Sequence, residues 1–538
     1  MPDRSWTTTR PTVCGLEGAV AAAHPLAASA GLDMLRSGGN AIDAIVATAA
    51  TLAVVEPYMS GPGGIGYLLY HRADGETKVL NYSGAAPAKA TRDQFTPETR
   101  SRGSKSCMIP GSVAGWFEML EKYGTRTPAD VFARAIRHAR NGFALHPYNL
   151  SVLRHTPGHV NAVGRAILEL VPKQLGGVLR LPDLARTLEQ LVEHGPRYFY
   201  EGELGRTIAD FIQSEGGLLT EADLAGYRPE WESPIEVSYR NSRVVTCPPN
   251  CEGFQILQTL KILEAFDIRG MEHNSTDHLH LLSEAMKLAI ADRIRYGGDP
   301  RFAPTPIKML LMESYCADRR RDISSDRASI TQGDRWNPNI APKTAQADQG
   351  KGLTTHLSAV DSHGNVASIT QSLGNLYGSG VFVPGTGVAL NNFCHYTEID
   401  LSYDGPNMIA PGKRCSCCLS PVQVFQGDRF WFAVATPGSY GIMQTTPQMI
   451  MNIVDFGADP QAAIEAPRFR LLEGTRLQIE TRVPAAVRDE LAARGHIIEP
   501  LGDYSANVGG GQCVMIDPAT QSRLAGADPR RDGYALAY

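Results

Sequence analysis

The stretch KGLTTHLSAVDSHGNVASITQS, Lys351 to Ser372, decides how this chain reads. THLSAV and VASITQS flank DSHGN, a turn-forming sequence, so the pattern predicts a β-hairpin. The first strand begins abruptly on Thr354, Thr355 and His356, after a polar, glycine-flanked run. A threonine hydroxyl is a poor nucleophile unless a base stands beside it. Cutting the chain before Thr354 would supply one, because the new α-amino group has a reference pKa of about 8. The same letters also suit an ordinary strand-starting residue. The hairpin by itself does not choose between the two.

Working outward, the segment from Asp322 to Gly352 is polar with few apolar anchors and reads as an exposed loop. Upstream of it, helices alternate with short strands. Pro25 to Leu35 has helical apolar spacing, with Pro25 suited to a first turn and Gly38-Gly39 as a stop. Asn40 caps a second helix, Ala41 to Val55, which is apolar almost all round and therefore buried. A strand, YLLYHR, follows the loop SGPGGIG, and further helices are expected at 113–123, 128–141, 253–266 and 276–293. Downstream of the hairpin the chain is rich in strands, with helices expected at 442–455 and near 484–494. The composition break near 350 is the main boundary.

Bulk properties narrow the function classes. A length of 538 residues accommodates roughly three or four ordinary domains, or one large layered unit. The hydrophobic fraction of 43% and charged fraction of 20% are those of a globular protein. A net charge of −5 gives no electrostatic reason to expect nucleic acid or an anionic membrane as partner. The charged runs Asp318 to Asp322 and Asp528 to Asp532 are short and mixed in sign, as solvated faces are. The N-terminal stretch lacks a secretory layout, and neither Ala19–Ala30 nor Ala41–Val55 is long enough to span a bilayer. A cytoplasmic location is therefore expected. The ten cysteines are scattered, and the groups Cys247/Cys251 and Cys415/Cys417/Cys418 lack zinc-site spacing.

Two local motifs need weighing. Gly61, Gly63 and Gly66 formally match G-x-G-x-x-G, but a helix precedes and a strand follows, the reverse of the dinucleotide arrangement. A tight backbone turn is the better account. TPGSYG, Thr436 to Gly441, joins the strand FWFAVA to a helix, and its backbone N–H groups are placed to receive a developing oxyanion.

Across nearly its whole length the chain resembles the γ-glutamyltransferase (glutathione hydrolase) family. The likeness rests on TTHLSAVDSHGNVASITQSLGNLYGSG, GGNAIDAIVATAATLAVVEPYMSGPGGIGYLLY, IPGSVAGWFEMLEKYG, HLLSEAMKLAIADRIRYGGDP, APGKR, EAPRFR and GADPRRDGYALAY, all in family order. It implies an α+β fold of the N-terminal-nucleophile hydrolase type, a four-layer αββα sandwich, with no cofactor or metal. It further implies a zymogen that cuts itself between Leu353 and Thr354. Residues 1–353 would become a large subunit and 354–538 a small one, intertwined in one unit. Thr354 would then attack an amide carbonyl and form an acyl-enzyme, which water or an amine resolves. Ser372, eighteen positions later, takes the place of the family's supporting hydroxyl. Gly438-Ser439 takes the place of its oxyanion glycine pair.

The departures fall where a γ-glutamyl group would be held. The family's carboxylate-clamping arginine aligns with Ser83, which removes a bidentate fork. Its small-subunit asparagine aligns with Gly374, and its amine-binding acid aligns with Tyr396, beside His395 and Glu398. Its two carboxylate-binding serines align with Cys417-Cys418, which read either as ordinary buried residues or as a pocket remodelled for a less polar acyl group. The pattern is similar to the family's diverged acylase and amidohydrolase-like branch, acting on a small-molecule amide. Two alternatives stand beside it. One is a genuine γ-glutamyl hydrolase/transferase for glutathione-like substrates, its clamp rebuilt from Arg92 or Arg414. The other is an unprocessed, non-catalytic homologue.

Overall fold

The computed structural model describes residues 6–154, 158–329, 352–400, 405–472 and 474–538. Most of the expected loop, 330–351, lies outside the described residues. Two seven-stranded antiparallel sheets form the centre. The first runs Tyr534–Ala537, Ala19–Ala22, Gly352–Val360, Val366–Asn375, Ile65–His71, Thr77–Tyr82, Glu230–Glu232. The second runs Val13–Gly15, Arg523–Ala527, Gln512–Ile516, Arg429–Ala435, Val422–Gln426, Ser242–Thr246, Ile235–Tyr239. Each sheet takes strands from both sides of residue 353, so the composition break near 350 is not a spatial domain boundary.

Side chains along the first sheet alternate between two cores, as period-2 geometry requires. Ile65, Tyr67, Leu69, Val360 and Val366 face the second sheet. Leu68, Tyr70, Leu357, Ala359 and Ile369 face an outer layer that includes the helices Pro25–Arg36, Ala41–Val55, Ser112–Tyr123 and Pro128–Asn141. Beyond the second sheet lie Phe254–Leu263, Thr276–Tyr296, Ile442–Val454 and Pro460–Glu465. The arrangement is the four-layer αββα sandwich. Ala41–Val55 is buried along its whole length, and its N-terminus is closed by a capping box between Asn40 and Asp43.

Sequence-based boundaries agree to within a few residues for the helices named above. One expectation fails. Asp528, Arg530 and Arg531 are not on a solvated face but buried, at 0%, 5% and 5% exposure. Burial is tolerated because Asp528 pairs with Arg468 and Arg530, and Arg530 also pairs with Glu480. Asp318 is exposed as expected, whereas Arg319 of the other run is buried against Asp292.

Candidate active site

The hairpin opens the site. Its register shifts between Leu353 and Thr355, with Leu353 opposite Gly374 and Thr355 opposite Gln371, so Ser372 and Leu373 together oppose Thr354. Such a bulge re-aims a side chain at a strand end. Thr354 is 2% exposed and its Oγ1 donates to Ser372 Oγ across 3.3 Å. Ser372 Oγ in turn donates to the Leu353 carbonyl oxygen at 2.7 Å and accepts the Gly374 N–H at 2.7 Å. The bond preceding Thr354 thus has a nucleophilic hydroxyl and a carbonyl-polarising donor gathered around it.

Gly374 has φ +103°, and a Cβ there would come within 2.1 Å of Asn392 Oδ1. A side chain at this position is sterically excluded without rearrangement. His356, two residues along the nucleophile strand, is engaged instead in a buried polar ladder. Its ring nitrogens meet Thr370 Oγ1 at 2.9 Å and Ser358 Oγ at 3.2 Å, and burial pushes its pKa down to about 3. It is a neutral structural group. On the opposite face of the strand, Thr355 Oγ1 donates to Glu56 Oε2 at 3.2 Å. Burial raises the Glu56 carboxyl to about 7, against a lowering influence from Arg531. Sequence reasoning missed Glu56, which ends a helix and carries no local signal.

The Gly438-Ser439 loop packs against the strand Gly352–Val360. Gly438 has φ +139°, and Ser439 has φ +53°. Thr436 Oγ1 accepts the Gly510 N–H at 2.8 Å, which joins this loop to the glycine run Gly509–Gly511. Tyr396 Oη lies 2.9 Å from Ser439 Oγ. Next to Ser439, the Tyr440 ring carries the Arg293 guanidinium at 4.2 Å, and Arg293 pairs with Glu252 at 3.1 Å. Ser416 donates to Glu252 at 2.7 Å, and Asn407 links Ser416 back to the Tyr396 carbonyl. These contacts close a ring around the Gly438-Ser439 loop.

The other substrate-side candidates are all buried. Ser83 Oγ accepts from Asn250 Nδ2 at 3.2 Å, and its N–H donates to Asn81. Cys417 pairs with Cys251 through the backbone alone, its N–H donating to the Asn250 carbonyl, and both thiols are free. Burial, together with neighbouring Cys415 and Cys251, holds the Cys417 thiol far above its ordinary pKa. Cys418 is 1% exposed. His395 meets Ser101 at 2.8 Å, and Glu398 faces Arg100 at 3.6 Å. Arg414 is committed to Glu230 and Glu232, and Arg92 sits half-buried in a short 3-10 turn. Gly61 to Gly64 form a tight turn closed by the Gly64 N–H on the Gly61 carbonyl, Gly66 lies in the strand Ile65–His71, and a Cβ on Gly63 would meet the Ala389 carbonyl oxygen at 2.2 Å.

Among the described residues, one side-chain group has the donors and spacing for a metal ion: His280, Glu284 and His496. Its donors are already engaged. His280 bridges His496 and the Ser324 carbonyl, while Glu284 holds Lys287 and Ser329. The Lys287 ammonium beside the carboxylate opposes a second cation.

The family model described as gamma-glutamyltranspeptidase matches residues 27–538. The chain belongs to the gamma-glutamyltranspeptidase family. It is 35% identical to the acylase ACY 1 proenzyme of Pseudomonas sp. (strain SE83), across 99% of this chain and 95% of that one. It is 33% identical to the glutathione hydrolase proenzyme of Bacillus subtilis (strain 168), across 99% and 94%. The cephalosporin acylase structure from Bacillus halodurans superposes with a TM-score of 0.89 at 32% identity, covering 100% of this chain and 99% of that one. As a member of the gamma-glutamyltranspeptidase family, this chain is a self-processing amide hydrolase or acyltransferase of the N-terminal-nucleophile type.

Proposed function

We propose that Thr354 is the nucleophile of this enzyme and that the precursor cuts itself between Leu353 and Thr354, leaving subunits 1–353 and 354–538. The observation that carries this reading is the shared hydrogen-bond geometry of Leu353, Thr354 and Ser372. In processing, Thr354 Oγ1 attacks the Leu353 carbonyl carbon while Ser372 stabilises the oxygen, and the peptide becomes an ester that water hydrolyses. The freed α-amine then serves as the base for catalysis. In turnover, Thr354 Oγ1 loses its proton to that amine and bonds to the substrate's acyl carbon. Negative charge develops on the carbonyl oxygen, opposite the Gly438 and Ser439 N–H groups. The amine returns the proton to the leaving nitrogen, and water or a second amine releases the acyl group.

The acyl group we infer lacks an α-amino-acid head. Ser83 supplies no guanidinium fork, and Tyr396 presents a neutral phenol, bonded to Ser439, where the family has a carboxylate. The acylase and cephalosporin acylase names borne by two relatives support the same direction. A panel of p-nitroanilides tests it: glutaryl and other simple acyl anilides should show higher kcat/KM than γ-glutamyl p-nitroanilide. A γ-glutamyl preference would overturn the substrate reading and leave the nucleophile untouched.

A further inference from the structure

We propose that Tyr396 is a positioning residue for the oxyanion loop, its hydroxyl holding Ser439 in the left-handed backbone conformation that the loop requires. The inference rests on the Thr354 mechanism and adds a part that neither residue reveals alone.

Ser439 is a non-glycine residue at φ +53°. A Cβ in that region crowds the following carbonyl and disfavours it relative to the right-handed form. Glycine would occupy the position without penalty. In this chain the serine's own side chain supplies a compensation, because its Oγ is held at 2.9 Å by Tyr396 Oη in a buried setting. Left unmet there, that hydroxyl would bear its full desolvation penalty, so the pair has reason to stay closed.

The anchor is itself fixed. The Tyr396 ring stacks on Phe393 with centroids 5.2 Å apart and meets Tyr440 edge-on at 5.6 Å. Its carbonyl accepts from Asn407 Nδ2 at 2.6 Å. A rigid phenol bonded to a strained serine defines where the Ser439 N–H points. The two residues that differ from the family pattern here, Ser439 for glycine and Tyr396 for an acid, are thus a matched pair. The side chain that makes the loop strained is held by the side chain that replaces the amine-binding carboxylate.

A double-mutant cycle on the processed enzyme tests this, using whichever anilide of the panel above the wild type turns over fastest. Tyr396→Phe and Ser439→Ala should each lower kcat about 5–20-fold with KM changed less than twofold, since both leave a Cβ at φ +53° without its tether. In the Ser439→Gly background, where no tether is needed, Tyr396→Phe should cost less than twofold. An equal loss from Tyr396→Phe in both backgrounds would overturn the proposal. So would a rise in KM at constant kcat, which would make Tyr396 a ground-state contact, or no effect of either single variant. Thermal melts of all four proteins identify a variant that fails to fold; if Tyr396→Phe does, comparing Ser439→Ala with Ser439→Gly decides in its place. Turnover retained by Thr354→Ala would instead refute the nucleophile assignment, a separate failure.

Discussion

Ser372 Oγ accepts a hydrogen bond from Thr354 Oγ1 at 3.3 Å while donating one to the Leu353 carbonyl oxygen at 2.7 Å. In the proposed cut, one hydroxyl therefore touches both the atom that would attack and the atom that would gain charge. Ser372→Ala removes both contacts at a fully buried position. Processing should slow by about 10²–10³-fold, the range for losing one oxyanion donor. Gel densitometry of precursor against time after translation arrest measures it.

Glu56 gives a pH dependence with a definite sign. Its folded pKa, about 7, exceeds the ordinary 4.5 because burial disfavours the carboxylate. The folded chain therefore holds more protons than the unfolded one across that window, and stability falls as pH rises from about 4.5 through 7. Glu56→Gln keeps an acceptor for Thr355 and removes the penalty, worth about 3 kcal/mol once both states are fully ionised in wild type. Its thermal midpoint should exceed that of wild type at pH 8 and match it at pH 5. His356 works the other way: its pKa is depressed to about 3, so its contribution is lost as pH falls below about 6.5.

Asp528 braces the loop behind the oxyanion residues. Burial alone would raise its pKa, yet Arg468 and Arg530 hold the carboxyl below the usual range, and its Oδ2 accepts the Gly511 N–H at 2.8 Å. Asp528→Asn leaves two buried guanidinium groups undercompensated and should destabilise the protein by about 3–5 kcal/mol. Chemical denaturation of the processed enzyme reads this directly.

The substitution Gly374→Asn, which places the family's amide here, meets Asn392 Oδ1 and an unfavourable φ of +103°. It should lower soluble yield or the melting temperature rather than confer γ-glutamyl turnover. The anilide panel and a thermal melt separate these outcomes.

Much of this architecture was legible because it is local. The Ala41–Val55 helix declares itself through a cap and an unbroken apolar run, and the Val360/Val366 hairpin through alternation around DSHGN. What escaped is long-range. Asp528 and Arg530 look like part of a solvated run because their partners Arg468 and Glu480 are distant in the chain, as is the Ala506 carbonyl that Arg531 meets. The Tyr396–Ser439 bond spans 43 residues, and no periodicity announces it. Family alignment placed Ser439 and Tyr396 individually, but their coupling is a property of the fold. The break in composition near 350 separates no domains, because strands from both sides of it pair in each sheet and composition says nothing of which strands pair.

The central claim is that Thr354 begins a new chain. Intact-mass analysis of freshly purified protein, combined with N-terminal sequencing of the smaller fragment, tests it most directly. The account predicts two polypeptides, the smaller beginning Thr-Thr-His-Leu-Ser, and a single uncut chain of 58.2 kDa for Thr354→Ala. A wild-type chain that stays whole yet turns over an anilide, or a small fragment beginning elsewhere, would contradict it.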